Sequence, residues 1–187
     1  MRFLKIAIVT ITFIVAGSAA QGQTTSSGAA FQKPGLGKEQ VKVKFLVGSF
    51  ATSTYIPPNP AVPKGDTGKG TSVIAWALDS VFLSIEDQSF NSLFGHYNAH
   101  GMLGFDAQTH QIVLSMFNNF GDRPTYSGDF VGDTLVLQAK IPAPRGTFDQ
   151  KLLWYQDGED VILRVLNDFG RGFMLSFEQR ATPEKKK

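Results

Sequence analysis

The three histidines of the chain all fall within one stretch, GHYNAHGMLGFDAQTH, residues 95–110. His96 and His100 are four residues apart, the spacing at which two imidazoles on one helix face share a metal ion. The neighbouring glycines and aromatics favour a strand, on which four residues span about 13 Å at ~3.3 Å each. Zinc–nitrogen bonds are only about 2 Å long. We therefore expect no metal site here.

Acid–base catalysis by His96 or His100 is an alternative. A histidine base needs a nucleophile within hydrogen-bond reach and a third group to orient it. The sequence has no Gly-x-Ser-x-Gly motif and singles out no such partner. The other interpretation is that His96, Asn98 and His100 form the polar face of a strand, whose opposite face carries Tyr97 and Leu103. His100 would contact a ligand if that polar face lined an interior, and would be a surface residue otherwise.

The N-terminus has the pattern of a secretory signal peptide. Two basic residues, Arg2 and Lys5, precede an uncharged apolar run over residues 6–15, and the small residues Ser18-Ala19-Ala20 follow. That run is shorter than the roughly 20 residues of a membrane span. We predict a signal peptide over residues 1–20, with cleavage after Gly22 as the alternative, and a periplasmic or secreted protein without a membrane anchor.

Composition excludes several classes of protein. The chain has no cysteine, so no disulfide and no lipid-modified cysteine is available to it. Lys and Arg number 18 against 16 Asp and Glu, and removing Arg2 and Lys5 leaves 16 against 16. A nucleic-acid-binding protein would show a basic excess, so no nucleic-acid partner is expected. Residues 21–38 read as a flexible leader, residues 39–181 as one domain and residues 182–187 as a solvated basic tail.

The domain contains short β-branched and aromatic segments separated by turn residues, which is typical of hairpin-connected strands. Period-two apolar rows, such as Val161, Leu163 and Val165, support this pattern. The predicted strands are Val41–Ile56, Gly70–Leu78, Val81–Phe90, Tyr97–Phe105, Gln111–Asn118, Thr125–Val131, Thr134–Ile141, Phe148–Gln156, Val161–Asn167 and Gly172–Gln179, with a short helix within Gly37–Leu46 as an option.

These segments predict an all-β fold, an antiparallel up-and-down barrel of about ten strands similar to lipocalins and other calycins. Closure removes exposed sheet edges, and the sixteen phenylalanines suit an apolar interior. A β-sandwich is the alternative.

Several motifs resemble a family catalogued as domain of unknown function 1579. They are FLVGSF, GKGTSVIAWAL, GHYNAHGMLGFDAQTHQIVLSMFNNFGD, YSGDF and FMLSFEQRA, in this order over residues 44–180. Phe105 stands where the family usually has tyrosine. The resemblance implies a ten-stranded barrel related to lipocalins, fatty-acid-binding proteins and nitrobindins. The nitrobindin haem ligand is a histidine near the C-terminal end, and this chain has none after His110, so no cofactor is expected.

A barrel of this strand number can enclose a ligand. We expect an exported protein that binds a small hydrophobic or amphipathic molecule inside the barrel. An enzyme using histidine acid–base chemistry in the same cavity, and a structural or interaction module with a filled barrel, are the alternatives. Oligomeric state does not follow from the sequence. The candidate ligand-binding residues are Trp76, Phe82, His100, Met116, Phe117 and Trp154.

Overall fold

The structure is a computed structural model that describes residues 41–60, 62–144 and 146–185. The predicted signal peptide and leader lie outside these residues. One short 3₁₀ helix, η1, precedes ten strands. Their bounds are η1 Val43–Leu46, β1 Gly48–Ile56, β2 Asp66–Ala77, β3 Phe82–Asn91, β4 Gly95–Asp106, β5 Gln111–Asn118, β6 Thr125–Val131, β7 Thr134–Ala143, β8 Gly146–Asp157, β9 Asp160–Asp168 and β10 Met174–Pro183.

The ten strands form a closed antiparallel barrel in which each strand pairs with its neighbours in sequence. The seam lies between the first and last strands, β1 and β10, which pair from Phe50 opposite Pro183 to Tyr55 opposite Glu178. The predicted up-and-down barrel is therefore confirmed, and the alternative of a sandwich is wrong. No helix among the described residues is long and apolar enough to cross a membrane.

Most predicted strands agree with the structure to within a few residues. The largest difference is β1, which begins at Gly48 rather than Val41, because η1 occupies Val43–Leu46. β2 begins at Asp66 rather than Gly70. Gly68 and Gly70 lie inside the strand, where a Cβ on Gly70 would be 2.0 Å from the carbonyl oxygen of Gln88. These glycines permit close backbone approach between β2 and β3.

A β-bulge near the start of β10 changes the side of the sheet on which the side chains lie. The sequence places Phe173, Leu175 and Phe177 on one face by strict alternation. In the structure the register shifts between Leu175 and Phe177, with Leu175 opposite Leu166 and Phe177 opposite Val165. The expectation that Leu175 and Phe177 share a face is therefore wrong, because the extra residue of a bulge moves the following side chains to the other face.

The barrel has a closed end, the end at which η1 precedes β1. Val43 and Leu46 of η1 are 2% and 0% exposed and belong to the main apolar core. Val43 lines a small cavity together with the inward side chains of Leu83, Leu103 and Ile112. The predicted short helix thus corresponds to a 3₁₀ turn that plugs one end of the barrel. The opposite end, bounded by the β1–β2, β3–β4, β5–β6, β7–β8 and β9–β10 connections, is called the open end below.

We expect Leu46→Ala to lower the free energy of unfolding by about 2–5 kcal/mol, since truncation of a fully buried leucine leaves a cavity. Val41→Ala is the control, because Val41 is 61% exposed and should change stability by less than about 0.5 kcal/mol. Urea denaturation of both variants measures the difference. Equal stability of the two variants would show that η1 does not plug the barrel.

Candidate functional site

The inward-facing side chains change character along the barrel axis. Near the closed end they are apolar and belong to one packed core. Towards the open end many of them are polar. We call this second half the polar lumen, formed by Thr52, Thr54, Ser72, Asp87, Tyr97, Tyr126, Gln150, Asn167 and Gln179.

Asp87 lies at the junction of the two halves. Leu83 and Ile85 precede it on β3 and are buried in the core, so alternation directs the Asp87 side chain inward as well. Burial raises the pKa of Asp87, while hydrogen bonds from Ser72 and Gln179 act to lower it. Asp87 Oδ1 has no hydrogen-bond partner among the described residues, although it is shielded from solvent.

Two threonines of β1 carry further buried hydroxyls. Thr52 is 5% and Thr54 is 4% exposed, and neither Oγ1 atom has a hydrogen-bond partner among the described residues. Their Cα partners on β2 are Gly70 and Gly68, so no side chain of β2 fills the space directly opposite them. Buried polar atoms are normally paired, and an unpaired one costs about 1–3 kcal/mol. Among the described residues, this lumen therefore contains three buried polar atoms without a hydrogen-bond partner.

A hydrogen-bond relay crosses the other wall of the polar lumen. The Tyr126 hydroxyl donates to Gln150 Oε1 at 2.5 Å, and Gln150 Nε2 donates to Asn167 Oδ1 at 2.8 Å. Burial raises the pKa of the Tyr126 hydroxyl, and the nearby phenol of Tyr97 adds to the rise. Tyr126 is therefore a neutral donor, and the relay orients the amide of Gln150.

Tyr97 connects the two walls. Burial, and after it the negative charge of Asp87, raise the pKa of Tyr97 to about 12, against a hydrogen bond with the Asn118 side chain that lowers it. A phenol that remains neutral beside a carboxylate can donate a hydrogen bond into the lumen at any physiological pH.

The free space differs between the two halves. A cavity of about 10 Å³ lies beside Asp87, Ser72 and Gln179, and another of about 10 Å³ lies beneath η1. Each volume is close to the minimum for one water molecule, so the space beneath η1 and the space beside Asp87 are both nearly filled by side chains. In the polar lumen, inward side chains such as Met116, Asn167 and Phe177 are only half-buried. In a closed barrel that exposure indicates access from the open end.

A larger groove of about 560 Å³ lies on the outer wall, between Ser53, Tyr55, Lys69, Phe90 and Arg180. The charged groups around it are solvated or paired. We place the candidate site in the lumen instead, because buried polar atoms without partners lie there.

The six candidate ligand-binding residues divide equally between the two faces. Trp76, Met116 and Trp154 point inward, and Trp154 is 5% exposed within the core. Phe82, His100 and Phe117 lie on the outer face, so their proposed position in the lining is corrected. Phe82 covers Gly104 from outside the barrel, and Phe117 is an exposed neighbour of His100.

The orientation of the histidine strand follows from β4. Ala99, Gly101 and Leu103 are buried and point inward, so His96 and His100 point outward. The His96 ring contacts Phe90, with 5.0 Å between ring centroids. His100 Nδ1 is 3.9 Å from Glu86 Oε1 on an exposed surface. The described residues contain no group of three ligand-type side chains able to hold a metal ion.

Glu178 and Arg180 both lie on the outer face, two positions apart on β10, but they do not pair with each other. Each has a partner on an adjacent strand or turn instead. Arg164 Nε donates to Glu178 Oε2 at 2.7 Å, and Arg180 contacts Asp160 at 2.6 Å and Asp157 at 2.9 Å. Antiparallel pairing brings Arg164 directly opposite Glu178, closer than a residue two positions along the same strand.

The sequence reasoning missed Asp87, the two threonines and the lumen tyrosines. A signal for Asp87 was present, because the apolar alternation of Leu83 and Ile85 continues onto it. A carboxylate on the apolar face of a strand indicates a functional position. Thr52 and Thr54 gave no such signal, since alternating threonines are common on exposed strand faces.

The comparisons with known proteins agree with this fold. No protein-family model matches the chain, and no curated protein matches it in sequence. Among solved structures, the crystal structure of Rv2717c from M. tuberculosis is similar, with a TM-score of 0.58 and 16% sequence identity. The similarity covers 81% of this chain and 100% of that one. At this identity it supports the barrel fold, a fold that could hold a ligand, and the resemblance to domain of unknown function 1579 stays a prediction.

The raised pKa of Asp87 predicts a pH dependence of stability. The folded barrel binds the Asp87 proton more tightly than the unfolded chain, whose aspartate has a pKa of 3.8. Stability contributed by this group is therefore present below that value and is lost as the pH rises through the folded pKa. We expect Asp87→Asn to remove this loss and to raise the free energy of unfolding at neutral pH.

Urea denaturation between about pH 4 and pH 8 measures this effect. Glu86→Gln is the matched control, because it removes the same charge one residue away on the outer face. A variant Asp87→Asn that is less stable than the wild type at neutral pH would contradict the prediction.

The relay predicts a second effect on stability. Tyr126→Phe removes the hydroxyl that satisfies Gln150 Oε1 and should lower the free energy of unfolding by about 1–3 kcal/mol. Tyr55→Phe is the control, since Tyr55 is 43% exposed on the outer face and should change stability by less than about 0.5 kcal/mol. Thermal and urea denaturation measure both variants. If Tyr126→Phe had the same free energy of unfolding as the wild type, the relay would make no contribution to stability.

Proposed function

We propose that the protein is exported and binds a small amphipathic molecule in the polar lumen, entering through the open end. The observation that carries this proposal is a set of three buried polar atoms without hydrogen-bond partners among the described residues, namely Thr52 Oγ1, Thr54 Oγ1 and Asp87 Oδ1. Maintaining them unpaired costs stability, and a bound polar group offsets that cost. The signal-peptide pattern of residues 1–20 supports export.

The chemistry of these atoms limits the ligand's polar group. A carboxylate oxygen only accepts hydrogen bonds, whereas threonine hydroxyls donate and accept. A hydroxyl can donate to Asp87 Oδ1 and accept from a threonine hydroxyl, whereas a protonated amine donates to the Asp87 carboxylate and to the threonine oxygens. A ligand carboxylate would instead place a second negative charge beside Asp87.

The apolar part of the ligand would lie against half-buried side chains of the polar lumen. Met116, Val165 and Phe177 point inward at this level and are partly exposed. The packed core beyond Asp87 limits how deeply a ligand enters. These features favour a small amphipathic molecule over the small hydrophobic molecule that the sequence also allowed.

The filled-barrel alternative is supported by one observation, the small volume of about 10 Å³ of each cavity beneath η1 and beside Asp87. Under this alternative the polar lumen holds water only. Histidine acid–base chemistry inside the barrel has no support, because His96 and His100 point outward.

Native mass spectrometry of the protein purified without denaturation tests the proposal. We expect a discrete small molecule that denaturation releases, with a hydroxyl or amine group. Once it is identified, Asp87→Asn should weaken its binding by on the order of ten- to a hundredfold, the effect of losing a hydrogen bond to a charged group. Glu86→Gln and His100→Gln, on the outer face, should bind it as the wild type does.

The Asp87→Asn variant distinguishes an effect on binding from an effect on folding. It is expected to raise the free energy of unfolding while lowering the affinity for the ligand. A protein that is reproducibly empty, and that binds no hydroxyl- or amine-bearing amphiphile in a calorimetric screen, would favour the filled barrel. If the wild type and Asp87→Asn bound the ligand with equal affinity, the ligand would not contact Asp87 and the binding site would lie elsewhere.

A further inference from the structure

The side chains that face the lumen carry no positive charge on the strand residues that the structure describes. The lysines and arginines of the ten strands all lie on the outer wall, each flanked by inward-facing residues. They are Lys69, Lys140, Lys151, Arg164 and Arg180. The two histidines of β4 point outward as well. A negative charge in the polar lumen therefore has no basic strand residue as its counter-charge.

Asp87 provides such a charge when it is ionised. Its Oδ1 atom is shielded from solvent and has no hydrogen-bond partner among the described residues. Hydrogen bonds from Ser72 and Gln179 favour the ionised form of the carboxyl group, whereas burial disfavours it and is the larger effect. A buried carboxylate is stable when it is paired. A cation beside Oδ1 would therefore supply what the protein itself does not.

The space beside the Asp87 carboxyl group fits a small cation. The cavity of about 10 Å³ at this position is also lined by Ser72, Gln179, Phe50 and Trp154. Its volume is close to the minimum for one water molecule, and a primary ammonium group is of similar size. A trimethylammonium group is too large for this space. The cavity therefore discriminates between cations by size.

Further acceptors lie between this cavity and the open end. Ser72 pairs with Asp87 on β3 and with Phe50 on β1. Thr52 and Thr54 follow Phe50 along β1 towards the open end, and their buried Oγ1 atoms have no partner among the described residues. An ammonium group has three donors and no acceptor. It therefore matches a lumen in which a carboxylate and two hydroxyl oxygens await donors.

We propose that the polar lumen selects a primary ammonium group, which is held at Asp87, so that the ligand is a small amine with an apolar tail. This inference rests on the proposed binding function and narrows it, because a hydroxyl group carries no charge to compensate the carboxylate. The tail extends towards the open end. Asn91, the last residue of β3, is four residues from Asp87, or about 13 Å along the strand at ~3.3 Å each. A short alkyl chain fits within this length.

Three probes that share one alkyl chain test the selectivity by isothermal titration calorimetry. They are hexylamine, hexanol and hexyltrimethylammonium. At neutral pH we expect hexylamine to bind tighter than hexanol by on the order of tenfold, because a hydrogen bond between two charged groups is stronger than one with a neutral donor. Hexyltrimethylammonium carries the same charge but should bind at least about tenfold more weakly than hexylamine, because it neither fits the cavity nor donates a hydrogen bond.

The pH dependence of the wild type provides a test that requires no variant. An ammonium group favours ionised Asp87, so its binding releases the proton of any protonated Asp87. The affinity for hexylamine should therefore rise as the pH rises through the folded pKa of Asp87, and should fall only when the amine loses its own proton near about pH 10. The affinity for hexanol should change little.

The other titratable groups of the lumen do not interfere with this profile. Burial raises the pKa of Tyr97 to about 12 and also raises the pKa of Tyr126, and the carboxylate of Asp122 adds to both rises. Both phenols are therefore neutral over the range of the titrations. Ser72 and Gln179, which contact Asp87 from β2 and β10, do not titrate.

Variants assign the effect to Asp87. Asp87→Asn should weaken hexylamine binding by on the order of ten- to a hundredfold and should weaken hexanol binding much less, because the amide oxygen of asparagine still accepts a hydrogen bond. Glu86→Gln removes the same charge from the outer face and should bind all three probes as the wild type does.

Four results would overturn the inference. Hexanol that binds as tightly as hexylamine would do so while leaving the proposed binding function intact. Hexyltrimethylammonium that binds as tightly as hexylamine would show that the cation does not enter the cavity beside Asp87. Equal effects of Asp87→Asn and Glu86→Gln would show that the amine adsorbs to the outer wall. If none of the probes bound, selection of an amine would be wrong, and native mass spectrometry would decide separately whether the lumen holds another molecule.

Discussion

Closure of the sheet is the constraint on which the rest of the structure depends. Pairing of β1 with β10 joins the ends of the sheet and leaves each strand residue only two environments, the lumen and the outer wall. Because side chains alternate along a strand, a single buried residue determines the facing of its neighbours. Because Leu103 faces the core, His100, three positions away on the same strand, faces solvent. Because Ile85 faces the core, Asp87, two positions away, faces the lumen. Neither outcome depends on the local chemistry of the histidine or the aspartate.

This constraint explains what the sequence could and could not predict. Strand number and order followed from hairpin spacing, and β5 and β6 agree with their predicted bounds. The sequence could not predict which face of β4 points into the barrel. One face carries His96 and His100 and the other carries Tyr97 and Leu103, and either face suits an interior. Which face lies inside depends on register with β3 and β5, a long-range property.

The two halves of the lumen differ in how they contribute to stability. The closed half, with Leu46, Leu83 and Leu135 fully buried, gains stability from apolar burial. The polar half gives up part of that gain, since it keeps buried hydroxyls and a carboxylate oxygen without partners. Proteins commonly retain such strained or unsatisfied groups where they bind or react. The stability gained by packing in the closed half offsets the stability lost to unpaired polar groups in the polar half.

The β1–β10 seam has a consequence for how the chain reaches this structure. Its partners lie at the two extremes of the domain, with Phe50 opposite Pro183. During synthesis from the N-terminus, β1 emerges with one edge unpaired and keeps it until the last strand is available. Contacts of such long sequence separation form slowly, and an open strand edge is where chains associate wrongly. The barrel has no free edge once folded, yet it is most exposed to aggregation just before its final strand arrives.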